Sequence, residues 1–140
     1  MRKKLLVFLC VVLMCLLSGC SRGSVSTKLP DCFEEETVEE EAKAAVTLGE
    51  SGDYEEFIKL FDDTVAKSMT REVYENQYLA VVKEKGAFES FGDSVLVGQT
   101  DPNTGANYAG VVLVANYEDG KIQYTIGYNE DMKLIQFLIK

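Results

Sequence analysis

After Gly86 the spacing of apolar residues changes from the three-and-four rhythm of a helix to the two-residue alternation of a strand. That change fixes the fold class, because helices that come first in the chain must bury their stripe against strands that follow. Before the change, Val38, Ala42, Ala45, Val46 and Gly49 recur at helical spacing after Thr37, whose T-x-x-E pattern with Glu40 predicts a capping box. Gly49 and Gly52 mark a break. Asp53, with Glu56 three residues on, predicts the cap of a second helix carrying Tyr54, Phe57, Ile58, Phe61 and Val65 on one face. A third helix is expected after Thr70, presenting Tyr74, Tyr78, Val81 and Val82 and ending at Gly86.

Four strands are expected after that point. One lies around Val95, Leu96 and Val97. The turn Asp101-Pro102-Asn103-Thr104-Gly105 leads to a second from Tyr108 to Tyr117, apolar on both faces and therefore central. Asp119-Gly120 is a two-residue hairpin signal. The third strand alternates Ile122, Tyr124, Ile126 and Tyr128 against Lys121, Gln123 and Thr125, and the fourth runs from Leu134 to Ile139. The expected architecture is α+β: about three N-terminal helices packed on a four-stranded antiparallel meander sheet.

The N-terminus follows different rules. Arg2, Lys3 and Lys4 precede an apolar stretch from Leu5 to Leu17, long enough for a signal-peptide core but short of the roughly 18 residues a membrane span needs. Leu17-Ser18-Gly19-Cys20 closes it and resembles the lipobox of bacterial lipoproteins. The resemblance implies cleavage before Cys20, a diacylglycerol (palmitate-type chains) on its sulfur, and attachment to the outer side of the cell membrane. One acyl chain binds only marginally, so two on one cysteine meet the physical requirement for a stable anchor. The expected division is therefore a signal peptide over 1–19, a lipid-anchored flexible tether over 20–36, and one domain over 37–140. Ser21 carries no retention instruction of the kind that an Asp there would give.

Loss of the three basic head residues leaves 11 of the 14 Lys and Arg against 23 Asp and Glu, a formal charge near −12. Such a chain is a poor match for nucleic acid, whose binding rests on neutralising phosphates. Cys10 and Cys15 leave with the signal peptide and Cys20 is consumed by lipid, so Cys32 is the remaining thiol and no intrachain disulfide is expected. The sequence has no histidine, the commonest general base and metal ligand.

The order of elements resembles the cone-shaped fold shared by nuclear transport factor 2 and the cystatin-like superfamily. Gly52-Asp53-Tyr54 leading to Phe57 and Phe61, Met69-Thr70-Arg71-Glu72 leading to Gly86-Ala87-Phe88, and the stretch from Tyr117-Glu118-Asp119-Gly120 to Leu134 resemble the bacterial family domain of unknown function 3887. No catalytic signature comes with that resemblance. Folds of this kind often hold a pocket between sheet and helices, and Tyr78, Tyr108, Tyr124 and Tyr128 are the residues expected to line it, or else to fill core and sheet surface. Asp62 and Asp63, beside the Phe61 stripe, are the acids most worth tracing. Asp101, Asn103 and Gly105 superficially match a calcium loop but lack its terminal glutamate, so a turn is the expected role.

Two function classes follow. The first is a non-catalytic, membrane-anchored module that binds a small ligand or an envelope protein, with no cofactor and no metal. The alternative is a small pocket enzyme of the isomerase or dehydratase type, using a tyrosine hydroxyl and a carboxylate within hydrogen-bond reach. A homodimer through the open sheet face is a further expectation.

Overall fold

The computed structural model describes residues 25–140. The stretch expected as a signal peptide, and Cys20 after it, lie outside the described residues. The order of elements is β1 (Val25–Ser26), α1 (Glu35–Glu50), α2 (Tyr54–Ile58), α3 (Asp63–Ala66), α4 (Arg71–Val73), a π-helical stretch (Tyr74–Leu79), α5 (Ala80–Glu84), then β2 (Phe88–Thr100), β3 (Asn107–Tyr117), β4 (Gly120–Tyr128) and β5 (Leu134–Ile139). The strands form one antiparallel sheet in the order β1-β2-β3-β4-β5, a meander with the helices on one face.

Helix α1 buries the expected stripe Val38, Ala42, Ala45, Val46 and Gly49. Its start differs from the capping-box expectation. The helix begins at Glu35, Glu34 stands at the cap without a side-chain bond to the backbone, and the Thr37 hydroxyl donates to the Glu34 carboxylate at 3.2 Å. Gly49 does not end the helix. It lies in the last turn because a Cβ there would meet Tyr78 Cε1 at 2.9 Å and Phe57 Cε2 at 3.1 Å. The break belongs to Gly52, whose φ of 85° suits glycine.

Asp53 caps α2 as expected, accepting from the Glu56 N–H at 3.2 Å. The second helix is shorter than its stripe, because Phe61 leaves it to form a parallel bridge with Leu134. The Asp62 N–H donates to the Leu134 carbonyl at 2.9 Å, and the Leu134 N–H donates to the Leu60 carbonyl at 2.8 Å. Thr70 caps the third helix, which passes through the π-helical stretch and ends before Gly86 (φ 79°).

On β3 and β4 the side chains alternate strictly. Val111, Leu113, Ala115 and Tyr117 face the helices with Ile122, Tyr124, Ile126 and Tyr128, all buried. Phe57 lies at the centre of the core, with ring centroids 5.1 Å from Phe61, 5.2 Å from Tyr74 and 5.2 Å from Phe137.

The segment expected as a flexible tether is corrected in part. Val25 and Ser26 pair with Gln99 and Gly98, Leu29 and Phe33 are buried, and Cys32 is exposed. Leu29 packs against Gly98 of β2 and Phe33 joins the hydrophobic core, so the packed domain reaches N-terminal of 37. Gly98 makes this possible. A Cβ there would lie 2.3 Å from the Lys28 carbonyl oxygen and 3.0 Å from Leu29 Cα, both backbone atoms that cannot swing aside. Gly98→Ala is expected to lift residues 28–30 off the sheet and cost about 1–3 kcal/mol. Limited proteolysis checks this: cleavage between 25 and 34 should rise sharply, and an unchanged cleavage pattern would refute the close packing.

Candidate functional site

Three tyrosines and one carboxylate meet where the end of α1 crosses β3 and β4. Tyr117 and Tyr124 face the helices for the parity reason given above, and Tyr78 comes down from the π-helical stretch. Their hydroxyl oxygens form a chain: Tyr78 to Tyr124 at 3.2 Å and Tyr124 to Tyr117 at 2.7 Å. Tyr117 donates to Glu50 Oε1, and Tyr124 lies 3.3 Å from the same oxygen. Each hydroxyl has one proton and an ionised carboxylate only accepts. The arrangement that satisfies every group runs one way, from Tyr78 through Tyr124 and Tyr117 to Glu50. Beside it the Tyr74 hydroxyl donates to the Gly49 carbonyl at 2.5 Å.

Burial raises the Glu50 pKa above the usual carboxylate range, against the opposing pull of the hydrogen bonds from Tyr117 and Tyr124. Burial likewise holds Tyr78, Tyr124 and Tyr117 protonated well above the ordinary phenol range. The constellation has the ingredients of the alternative function, a tyrosine hydroxyl on a part-buried carboxylate. Each of its groups is nevertheless taken up by a neighbour, and neither the groove beside β5 nor the hollow beside Tyr108 includes Tyr117, Tyr124 or Glu50 in its wall.

The four tyrosines expected to share a pocket are divided by the sheet. Tyr78 and Tyr124 are in the hydroxyl chain. Tyr128 is buried on the same side, its phenol kept protonated by burial. Tyr108 faces the opposite side, because position 108 is out of phase with 109, 111 and 113 on β3. Asp62 is the cap of α3, accepting from the Thr64 N–H at 3.0 Å and hydroxyl at 2.6 Å, which lowers its pKa. Asp63 is exposed. Asp101 closes its turn by accepting from the Asn103 N–H at 2.8 Å, with Gly105 at φ 73°.

Sequence reasoning missed Glu50 and Tyr117. A signal for Glu50 exists: it follows Val46 by four residues and Ala42 by eight, which puts it on the apolar stripe. It also sits at the helix end where negative charge is disfavoured. An acid that defies both tendencies needs a partner.

The second feature is a groove of about 460 Å³ beside β5, walled by Phe61, Val65, Met69 and Val73 on the helix side and by Phe137 and Ile139 on the strand. Gln123 and Lys140 exchange both backbone hydrogen bonds, at 3.0 and 2.9 Å. Antiparallel pairing alternates, and Tyr124 pairs with Ile139 and Ile126 with Phe137. The N–H and C=O groups of Phe137 and Ile139 therefore point away from β4, and no described residue takes them up. Residues 60–62 cover only the Leu134 end of this edge. The strand reads Leu-Ile-Gln-Phe-Leu-Ile, with no charge and no proline to blunt it. A third feature, a hollow of about 560 Å³, lies on the outer face beside Tyr108.

The family model described as Protein of unknown function (DUF3887) matches residues 42–137. The NMR structure of a protein from Ruminococcus gnavus ATCC 29149 is similar at 34% identity and a TM-score of 0.72, over 82% of this chain and 98% of that one. A comparison with curated proteins finds no match.

Proposed function

The chain belongs to the DUF3887 family of proteins of unknown function, and on that premise we propose that it is a lipid-anchored, non-catalytic protein-interaction module of the cell envelope. One observation carries the reading: the open edge of β5 beside an apolar groove. An extended peptide added there would gain main-chain hydrogen bonds from Phe137 and Ile139 and place alternate side chains against Val65, Met69 and Val73. The anchor rests on Leu17-Ser18-Gly19-Cys20, and among the described residues no helix is long and apolar enough to cross a membrane. A tether of that kind holds the module at the outer surface, where segments of other envelope proteins reach it. The saturated hydrogen bonding of Tyr78, Tyr124, Tyr117 and Glu50 favours this reading over the pocket enzyme, because the network stiffens the groove wall through Tyr78 and keeps its hydroxyls from a substrate.

Short linear peptides selected on the full-length, acylated protein are expected to alternate apolar residues. Methylating the backbone nitrogens at alternate peptide positions should abolish binding. Ile139→Pro, which removes an outward N–H at an edge where proline is tolerated, should weaken binding about tenfold with little change in melting temperature. Peptides that bind equally well after N-methylation would refute strand addition, and mass spectrometry finding a free thiol at Cys20 would refute the anchor.

A further inference from the structure

The face of the sheet turned away from the helices is hollowed by its register. Gly110 of β3 lies opposite Gly127 of β4, and the same row continues to Val97 on β2 and Gln136 on β5. Two residues along each strand the side chains return to this face. Tyr108 therefore stands opposite Gln99 on one side of the glycine pair, and Val112 opposite Thr125 on the other. The result is a cup of about 560 Å³ with a backbone floor, within the common range of about 300–1,000 Å³ for small-ligand sites.

Gly110 is not there for the fold. Its φ is not in the left-handed region, and a Cβ on it would meet nothing closer than the Val97 carbonyl oxygen at 3.5 Å, an ordinary contact. Glycine inside a strand costs about 0.5–1 kcal/mol relative to alanine and often marks a close approach by something else. What the residue provides is the open space above it.

We propose that this cup binds an uncharged saccharide. The Tyr108 ring offers an apolar face for the C–H groups of a pyranose. The amides of Gln99 and Gln136 and the Thr125 hydroxyl each offer a donor and an acceptor, the pairing that neighbouring sugar hydroxyls require. None of these side chains is hydrogen-bonded to a described residue. Charge decides against other ligands. The wall has no Lys or Arg, it carries the Asp101 carboxylate, and the chain has a formal charge of −9, so phosphates and acidic sugars are repelled. This site meets the groove beside the helices only at Ile135 and Gln136 of β5, and it goes beyond the strand-addition reading.

The full-length protein in detergent micelles can be titrated with tri-N-acetylchitotriose and, separately, with maltotriose, following backbone amides by NMR. Saturable shifts are expected with at least one sugar, centred on Gln99, Gly110, Thr125 and Gly127. Gly110→Val fills the cup and should weaken that binding at least tenfold, with the melting temperature held or raised. Tyr108→Ala should weaken it comparably and Tyr108→Phe far less, which keeps the test decisive if the valine variant folds poorly. No saturable shift with either sugar, shifts confined to Val65 and Val73 in the β5 groove, or full affinity in both Gly110→Val and Tyr108→Ala would overturn the proposal.

Discussion

Above about pH 10 the domain is expected to lose stability steeply. Tyr78, Tyr117, Tyr124 and Tyr128 are buried, and burial raises each phenol pKa in the folded state above its ordinary value of about 10. For groups raised in this way the contribution is fully present below the unfolded pKa. It is lost as pH climbs, because the unfolded chain releases protons that the folded chain must keep. Four linked protons give a slope of roughly 5 kcal/mol per pH unit. Against a typical total of about 5–15 kcal/mol, that unfolds the domain within a few units. Circular dichroism and phenolate absorbance should move together for these residues, and Tyr124→Phe should reduce the slope by about one quarter. Gradual ionisation of all the tyrosines with the circular dichroism intact would show that the phenols are not held by the fold.

Phe57→Ala should produce the largest loss of any single truncation near neutral pH, about 3–5 kcal/mol. The ring is fully buried and lies between the short helices and the sheet, with centroids 5.1 Å from Phe61, 5.2 Å from Tyr74, 6.1 Å from Tyr78 and 5.2 Å from Phe137. Helices α2 and α3, of five and four residues, cannot hold themselves and depend on this contact. Removing the ring leaves a cavity that the neighbouring aromatics, large and planar, fill poorly. A fall in melting temperature of about 15 °C or more is expected, measured beside Phe88→Ala, whose 40% exposed ring should cost far less. Equal losses from the two variants would mean that Phe57 is not the hub of the core.

The sequence read well where one physical effect dominated. The stripe on α1, the cap at Asp53, the helix start after Thr70, the Asp119-Gly120 hairpin and the inward face of β4 each follow from local spacing or turn chemistry. It read poorly where contacts came from far along the chain. The second helix was cut short by Leu134, more than seventy residues on, which draws Phe61 into a bridge. Leu29 and Phe33 looked like part of a spacer because nothing near them in sequence shows the core that buries them.

The candidate sites divide on the same line. That tyrosines would be prominent was legible, since the alternation put Tyr124 and Tyr128 on one face of a strand. That Tyr108 would be separated from them follows from counting residues on β3, but its role depends on what Gly110 and Gly127 leave open when β3 and β4 align. Glu50 became a partner of Tyr117 and Tyr124 only through a contact that spans more than sixty residues.

By itself the sequence determined the class of fold and the inward faces of its helix and strands, because periodicity and turn chemistry act over a few residues. Only the tertiary structure decided which polar groups meet, which strand is left at an edge, and where the sheet is hollow. Those outcomes depend on register between strands and on helix placement, and residues adjacent in the chain carry no record of either.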